Sequence, residues 1–447
     1  MAGTLELRLE KDRLTLYAEN AGLQDILRAI AKQGIAVQVD PGLNPEISVS
    51  FYNKDVQQGL KSLLKSINHI LIWESVSGTS NIRLAEIQVF EQGRKAFMKP
   101  LKIRDSFAIA RNPENGALFV RDEILLHRKM EMSVAEFEKI INRVNGTITD
   151  KNDVLGVYKV RLPENTDIPS LVKELNKVSG ISGAEPNYAY PISLPYKNIA
   201  SNPSFTDNKF PGAANGAAPV AVLDSGLLPD SGLDELVVAS FDAVNPENRI
   251  SDGLGHGTQM ALIASGVIKP EGILDNKSDA IPVIPIRAFD DNGLTSSFSI
   301  MNSIDFALEK GARVLSLSWS SDTKSEFLEQ AMEYADSKNL IVVASAGNEP
   351  TGKPVWPAAY PSVICVGALN PDGKPWDKSN YGSFVDLAAP GFASLPVGYK
   401  GEPGAYAGTS IATAYVTNVI ARYLSEHSQA SKQEVLSVIS EQLSVNN

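Results

Sequence analysis

The chain of 447 residues contains one cysteine, Cys365. No intramolecular disulfide can form, so packing alone must hold the fold together, in a reducing compartment or in an exported bacterial protein without disulfides. Cys365 lies in a short β-branched run, 362–368, with no base beside it; this reads as a buried core thiol and not a nucleophile. No apolar run approaches the ~20 residues that span a bilayer. There is no basic excess: 41 Lys and Arg face 52 Asp and Glu, for a net charge of −11. That excludes a general nucleic-acid or anionic-membrane binder. Histidines number four, so few side chains can act as a base near neutral pH. A signal peptide is also missing, since Met1, Ala2 and Gly3 lead almost directly into charged residues. We read the start as one whose leader has been removed. What remains is globular in composition, 43% hydrophobic and 21% charged, and long enough for two to four domains.

Three short stretches carry chemistry: Asp224, Ser225, Gly226; His256, Gly257, Thr258; and Gly408, Thr409, Ser410. They supply a carboxylate, an imidazole and a hydroxyl. A serine hydroxyl is a weak nucleophile until a base takes its proton, and the base needs a third group to fix its tautomer. A fourth stretch, Ala344 to Asn348, adds a side-chain amide suited to a developing oxyanion. Each sits at the end of an apolar run or the start of a helical pattern. His69 stands beside apolar residues, and His127 and His427 lie in charged stretches; these three read as structural or surface histidines.

In that order, Asp, His, Asn, Ser, the motifs resemble those of the subtilisin-like serine proteases (subtilases), over roughly residues 204–447. The resemblance implies Asp224, His256 and Ser410 as catalytic triad and Asn348 as oxyanion donor. It also implies an extended peptide substrate beside the strand 314–320, with Ser318, Trp319 and Ser320 bordering the pocket for the residue before the cut. The family usually has glycine where Ser320 stands. It usually has His-Val-Ala-Gly where Gln259 to Leu262 stand, and proline where Ala414 stands. The loop 269–272 lacks the Asn-rich calcium loop of many subtilases. Residues 290–293, Asp-Asp-Asn-Gly, are acidic enough to suggest calcium, but read better as a plain turn. No cofactor and no metal ligands are expected.

Patterning gives the expected architecture: an α/β, three-layer, parallel-sheet catalytic domain (220–447) preceded by two small α+β domains. Continuous apolar runs at 220–223, 281–286, 314–318, 340–346 and 363–368 indicate strands buried on both faces. Helices are expected at 256–267, 299–310, 324–338 and 410–426. Residues 117–190 alternate strands with two helices, one opened by the capping box Ser133 to Glu136. This segment resembles the inhibitory propeptide of subtilases, with its last strand running through Tyr188 to Tyr190 into the cleft. The linker 191–219 then holds the processing site, expected between 190 and 219. Residues 1–90 repeat a strand-to-helix pattern about every 35 residues, with helices at 20–32 (closed by Gly34) and 56–67. They resemble the secretin/TonB short N-terminal domain of bacterial envelope proteins. Residues 91–116 read as a connector with one strand near 97–103.

The sequence therefore reads as a self-inhibited serine endopeptidase of the periplasm, envelope or medium. Its expected partners are a peptide substrate, its own propeptide and an envelope component met through 1–90. A protease-like binding or scaffold protein is the second reading, favoured only by the altered helix motifs.

Overall fold

The computed structural model describes residues 4–10, 13–31, 35–40, 42–75, 82–101, 107–193, 195–198, 216–228, 231–246, 249–273, 280–397 and 403–445. The chain forms two compact units, 1–104 and 105–447.

In the first unit, strands β1 (Thr4–Glu10), β2 (Arg13–Gly22) and β4 (Glu46–Asp55) form one sheet. Strands β5 (Asn68–Ser75), β6 (Ile82–Phe90), β3 (Ala36–Val39) and β7 (Lys99–Pro100) form another, in that order. Helix α1 (Leu23–Ala31) buries Leu23, Ile26, Leu27 and Ile30, spaced so that they fall on one helical face. Helix α2 (Val56–Leu63) starts at Asp55, whose carboxylate accepts the N–H groups of Gln57 and Gln58. The strand-to-helix echo is thus β2 into α1 and β4 into α2. Gly34 lies outside the described residues. The boundary expected at 90 falls at 104, because β7 pairs back onto β3. The strand expected near 97–103 is only β7, preceded by a short turn of 3-10 helix at Lys95–Phe97.

The second unit begins with a small sheet. Strand β8 (Ile109–Arg111) pairs with β9 (Leu118–Arg128), so the sheet starts inside the stretch expected to be a connector. Next come α3 (Val134–Arg143), β10 (Thr147–Asn152), β11 (Val157–Arg161), α4 (Ile168–Leu175) and β12 (Ile181–Pro191). The Ser133–Glu136 capping box forms as expected. Phe137, Ile140 and Ile141 of α3 and Leu175 of α4 bury against Ile124 and Leu126 of β9.

After β13 (Tyr196–Asn198), the remaining elements run β14 (Val220–Asp224), β15 (Phe241–Asp242), α5 (His256–Ala264), β16 (Val283–Arg287), β17 (Leu294–Ser296) and α6 (Ser297–Glu309). They continue through β18 (Val314–Leu317), α7 (Glu326–Ser337), β19 (Ile341–Ser345), β20 (Val363–Leu369), β21 (Leu387–Pro390), β22 (Phe392–Leu395), β23 (Gly404–Ala407), α8 (Thr409–Glu426) and α9 (Lys432–Val445). Seven strands make one sheet in the order β15-β16-β14-β18-β19-β20-β21, with every pairing parallel. Ala221 and Leu223 face a core shared with α6 and α7, while Val220 and Val222 face a core shared with α5, α8 and α9. A strand covered on both faces favours apolar residues at every position, which explains the near-continuous apolar runs, with Ser316 and Ser345 as small buried exceptions. The strand order reverses around β14, between β16 and β18. Open α/β sheets form their binding crevice at such a switch, at the carboxyl ends of the strands.

Candidate active site

Asp224 closes β14 and His256 opens α5. His256 Nδ1 is 2.8 Å from Asp224 Oδ1, and both side chains are essentially buried. The Ser225 N–H donates to the same oxygen at 2.7 Å, which fixes the carboxylate rotamer. Burial alone would lower the proton affinity of His256. The charge and hydrogen bond of Asp224, with the charge of Asp252 behind, outweigh burial and raise its pKa above the ordinary 6.5. His256 Nε2 has no protein hydrogen-bond partner.

Asp252, which sequence reasoning missed, ties these pieces together. Its Oδ1 accepts the Ser225 hydroxyl (2.8 Å) and the N–H groups of Leu254 and Gly255. Its Oδ2 accepts the N–H and hydroxyl of Thr258. Ser225 Oγ in turn accepts the Gly257 N–H at 2.8 Å. One buried carboxylate thus binds the turn after β14 to the first turn of α5 and sets the approach of Asp224 to His256. The available signal was an acidic residue four positions before His256. Gly257 is required here: a Cβ would lie 2.4 Å from the Gly226 carbonyl oxygen.

Ser410 sits in the first turn of α8, where free N–H groups and the positive dipole end face the crevice. Its hydroxyl donates to the Ser318 carbonyl at 3.3 Å. The Asn348 side-chain oxygen accepts both the N–H (2.9 Å) and the hydroxyl (2.8 Å) of Thr409. That orients the Asn348 amide at the N-terminus of α8, a cap between loop and helix that the sequence does not display.

The cleft is crossed by the chain's own segment. At the end of β12, Ala189, Tyr190 and Pro191 pair antiparallel with Ser296, Thr295 and Leu294 of β17, and the Ile192 N–H donates to the Gly293 carbonyl at 2.8 Å. Ser193 Oγ lies 3.4 Å from Ser320 Oγ. Beyond Pro195, β13 pairs antiparallel with β23, Tyr196 opposite Ala407. The segment is therefore strand-paired up to Pro191 and again from Tyr196, and its second pairing is with β23, which leads directly into the turn carrying Ser410. Tyr190 is wholly buried, its ring 4.8 Å from that of Trp319 and its hydroxyl 3.1 Å from Ser297 Oγ. Upstream, Glu185 accepts the Ser325 hydroxyl and the Glu326 N–H, each at 2.6 Å, at the N-terminus of α7. Asn187 accepts the Phe298 N–H at the N-terminus of α6 (3.1 Å). Two polar side chains of the small sheet thus cap two helices of the large one. Residues 199–215, most of the stretch expected to hold the processing site, lie outside the described residues.

The three expected pocket residues separate. Ser320 lines a cleft of about 880 Å³ together with Ser193, Gly347, Asn348 and Glu349. Trp319 is buried under Tyr190, and Ser318 is buried with its carbonyl on Ser410. The extended segment pairs with β17 and not with 314–317. The reason is geometric: β18 already holds β14 and β19 on its two edges. Residues 290–293 form a turn: Asp290 Oδ1 accepts the Asn292 and Leu294 N–H groups, Oδ2 accepts that of Phe107, and Asp291 pairs with Arg287. These engaged carboxylates do not fit a calcium site, and no group of three or more potential metal ligands occurs among the described residues.

Comparison with known proteins agrees with this geometry. The Subtilase family profile matches residues 216–444, and that of the Fervidolysin N-terminal prodomain matches 107–187. The thermophilic serine proteinase of Bacillus sp. (strain AK1) is 30% identical over 325 residues, covering 70% of this chain and 80% of that one. Thermitase of Thermoactinomyces vulgaris is 32% identical over 222 residues, 49% of this chain and 79% of its own. Fervidolysin from Fervidobacterium pennivorans, a keratinolytic enzyme related to subtilisin, superposes with a TM-score of 0.56 at 23% identity, over 73% of this chain. The chain spans 58% of that structure's length, and the likeness shows a shared fold. The chain belongs to the subtilase family of serine endopeptidases and carries a fervidolysin-like prodomain.

Proposed function

We propose that the chain is a self-inhibited endopeptidase precursor that cuts itself after Ser193. Asp224, His256 and Ser410 form the triad, and Asn348 with the Ser410 N–H holds the oxyanion. Ser410 leaves the Ser318 carbonyl and gives its proton to His256 Nε2 as its oxygen bonds to the scissile carbonyl carbon. Asp224 keeps the other imidazole proton at Nδ1 and stabilises the resulting cation. His256 passes the proton to the leaving amine, and water then releases the acyl group by the same steps reversed. The observation that carries this reading is the segment 189–198, strand-paired with β17 before residue 192 and with β23 after residue 195, with Ser193 in one cleft with Asn348 and Ser320. The bond exposed to attack lies between those pairings, within 192–195. Leu194–Pro195 is disfavoured because its leaving group is a ring nitrogen, and Ser193 faces Ser320 in the cleft.

A serine-reactive fluorophosphonate tests the nucleophile. Labelling at Ser410 supports the reading. Absence of label after release of the prodomain favours the protease-like binding protein, a reading to which the Ser410–Ser318 contact lends some weight. We further propose that the protein works outside the cytoplasm and that unit 1–104 docks it to an envelope component. The support is the β2–α1 and β4–α2 echo together with the single cysteine. Cell fractionation of the native host tests the location, and a chain starting at Asp105 that cleaves the native substrate equally well would remove the docking role.

A further inference from the structure

We infer that Trp376, Lys378 and Phe392 form a subsite for an aromatic side chain on the leaving side of the cut, three residues after the scissile bond. This deepens the reading above and rests on it. The occupant is visible in the chain's own segment. With the cut after Ser193, the third residue on the leaving side is Tyr196, the first residue of β13. Its backbone is held opposite Ala407 by the antiparallel pairing with β23. Its ring meets the edge of Trp376 at 5.6 Å and 77°, and the Lys378 ammonium stands 3.9 Å from its centroid. Trp376 packs edge-on against Phe392 at 6.0 Å.

The platform is built into the catalytic domain: Trp376 belongs to the core beneath the large sheet and packs against Phe392. Its N–H donates to Ala368 O of β20, and its carbonyl accepts the Ser379 N–H, so both backbone groups are anchored. Tyr196 itself is 42% exposed, as suits a residue resting on a surface subsite. The recognition chemistry is specific: an electron-rich face toward an ammonium, and an edge or face toward an indole. An aliphatic side chain offers neither a quadrupole nor a plane, and a basic one would meet Lys378 as a like charge. The preferred substrates are therefore peptides with Tyr, Trp or Phe at this position.

The test uses the full-length chain after it has converted itself, with two internally quenched peptides. Both carry residues 187–193 before the cut; one continues Leu-Pro-Tyr and the other Leu-Pro-Ala. A p-nitroanilide ending at Ser193, which has no leaving-side residues, measures the catalytic reading alone. The expected ratio of kcat/KM, tyrosine over alanine, is about tenfold, and it falls to about threefold in Lys378→Ala. The ratio between peptides is the readout, so a general loss of activity in the variant does not imitate the result. Equal rates for the two peptides, with the anilide hydrolysed, would overturn the subsite while leaving the protease intact. No hydrolysis of any of the three overturns both.

Discussion

At the scale of single residues, the account turns on how few atoms define the chemistry. If Asn348 acts as the proposed oxyanion donor, Asn348→Ala lowers kcat by about 10²–10³ in steady-state kinetics, the magnitude for one such donor in subtilisin. Asp252 should act by position: Asp252→Ala strands five hydrogen-bond donors at a buried junction. We expect a stability loss of about 2–4 kcal/mol and a fall in kcat with KM nearly unchanged. Denaturant titration and steady-state kinetics check the two halves. The His256 pKa lies above the ordinary 6.5, and the imidazole must be neutral to accept a proton. Activity should therefore rise with pH on a limb above that value, and Asp224→Asn should move the limb down. The stability term has the opposite sense. A proton held more tightly in the folded state stabilises fully below 6.5, and the benefit is lost as pH rises through the raised value. The Asp224–His256 contact was legible in the sequence because each residue sits in a local motif. Asp252 was not, because its partners are 2 to 27 residues away and the meaning of a buried carboxylate depends on what surrounds it.

At the scale of elements, the prodomain is held by strand edges and helix caps. Glu185 lies at the N-terminus of α7, a place that favours a carboxylate. Burial is the largest influence on it and raises its pKa above the usual 4.5. The Ser325 and Glu326 hydrogen bonds oppose that rise, and the charge of Glu326 adds to it. The docked prodomain thus holds this proton better than the free one. The contribution of Glu185 to docking should be complete below about pH 4.5 and lost as pH rises through the docked value. In a Ser410→Ala chain, limited proteolysis of residues 107–187 should accelerate from pH 4 to 7, and Glu185→Gln should flatten the profile. A flat profile in the parent chain would remove this role. The long core strands and amphipathic helices were readable because burial imposes their period. The short strands β10, β15, β17 and β21–β23 were not, since neighbours placed by the fold define them more than their own residues do; α9 was missed although Val435, Ile439 and Leu443 lie at helical spacing and are buried. The expected substrate strand 314–320 was legible only at its end, where Trp319 meets Tyr190 and Ser320 meets Ser193; an apolar run does not reveal that both edges of 314–317 are taken.

At the scale of the whole molecule, the second unit is a subtilase with its prodomain strand β12 carried into the cleft. The small sheet continues into the catalytic domain through β12 and β17, and the chain leaves the cleft through β13 and β23. A prodomain followed by the catalytic domain could be read from the sequence. The path through the cleft could not, because pairings such as Tyr190 with Thr295 and Tyr196 with Ala407 join segments more than a hundred residues apart. The most direct test incubates the full-length chain and its Ser410→Ala variant, then reads intact masses and N-terminal sequences. Self-cleavage after Ser193 gives a new N-terminus at Leu194 in the parent chain and leaves the variant intact. Cleavage of both chains at the same bond, or a cut in the parent outside 192–195, would contradict it.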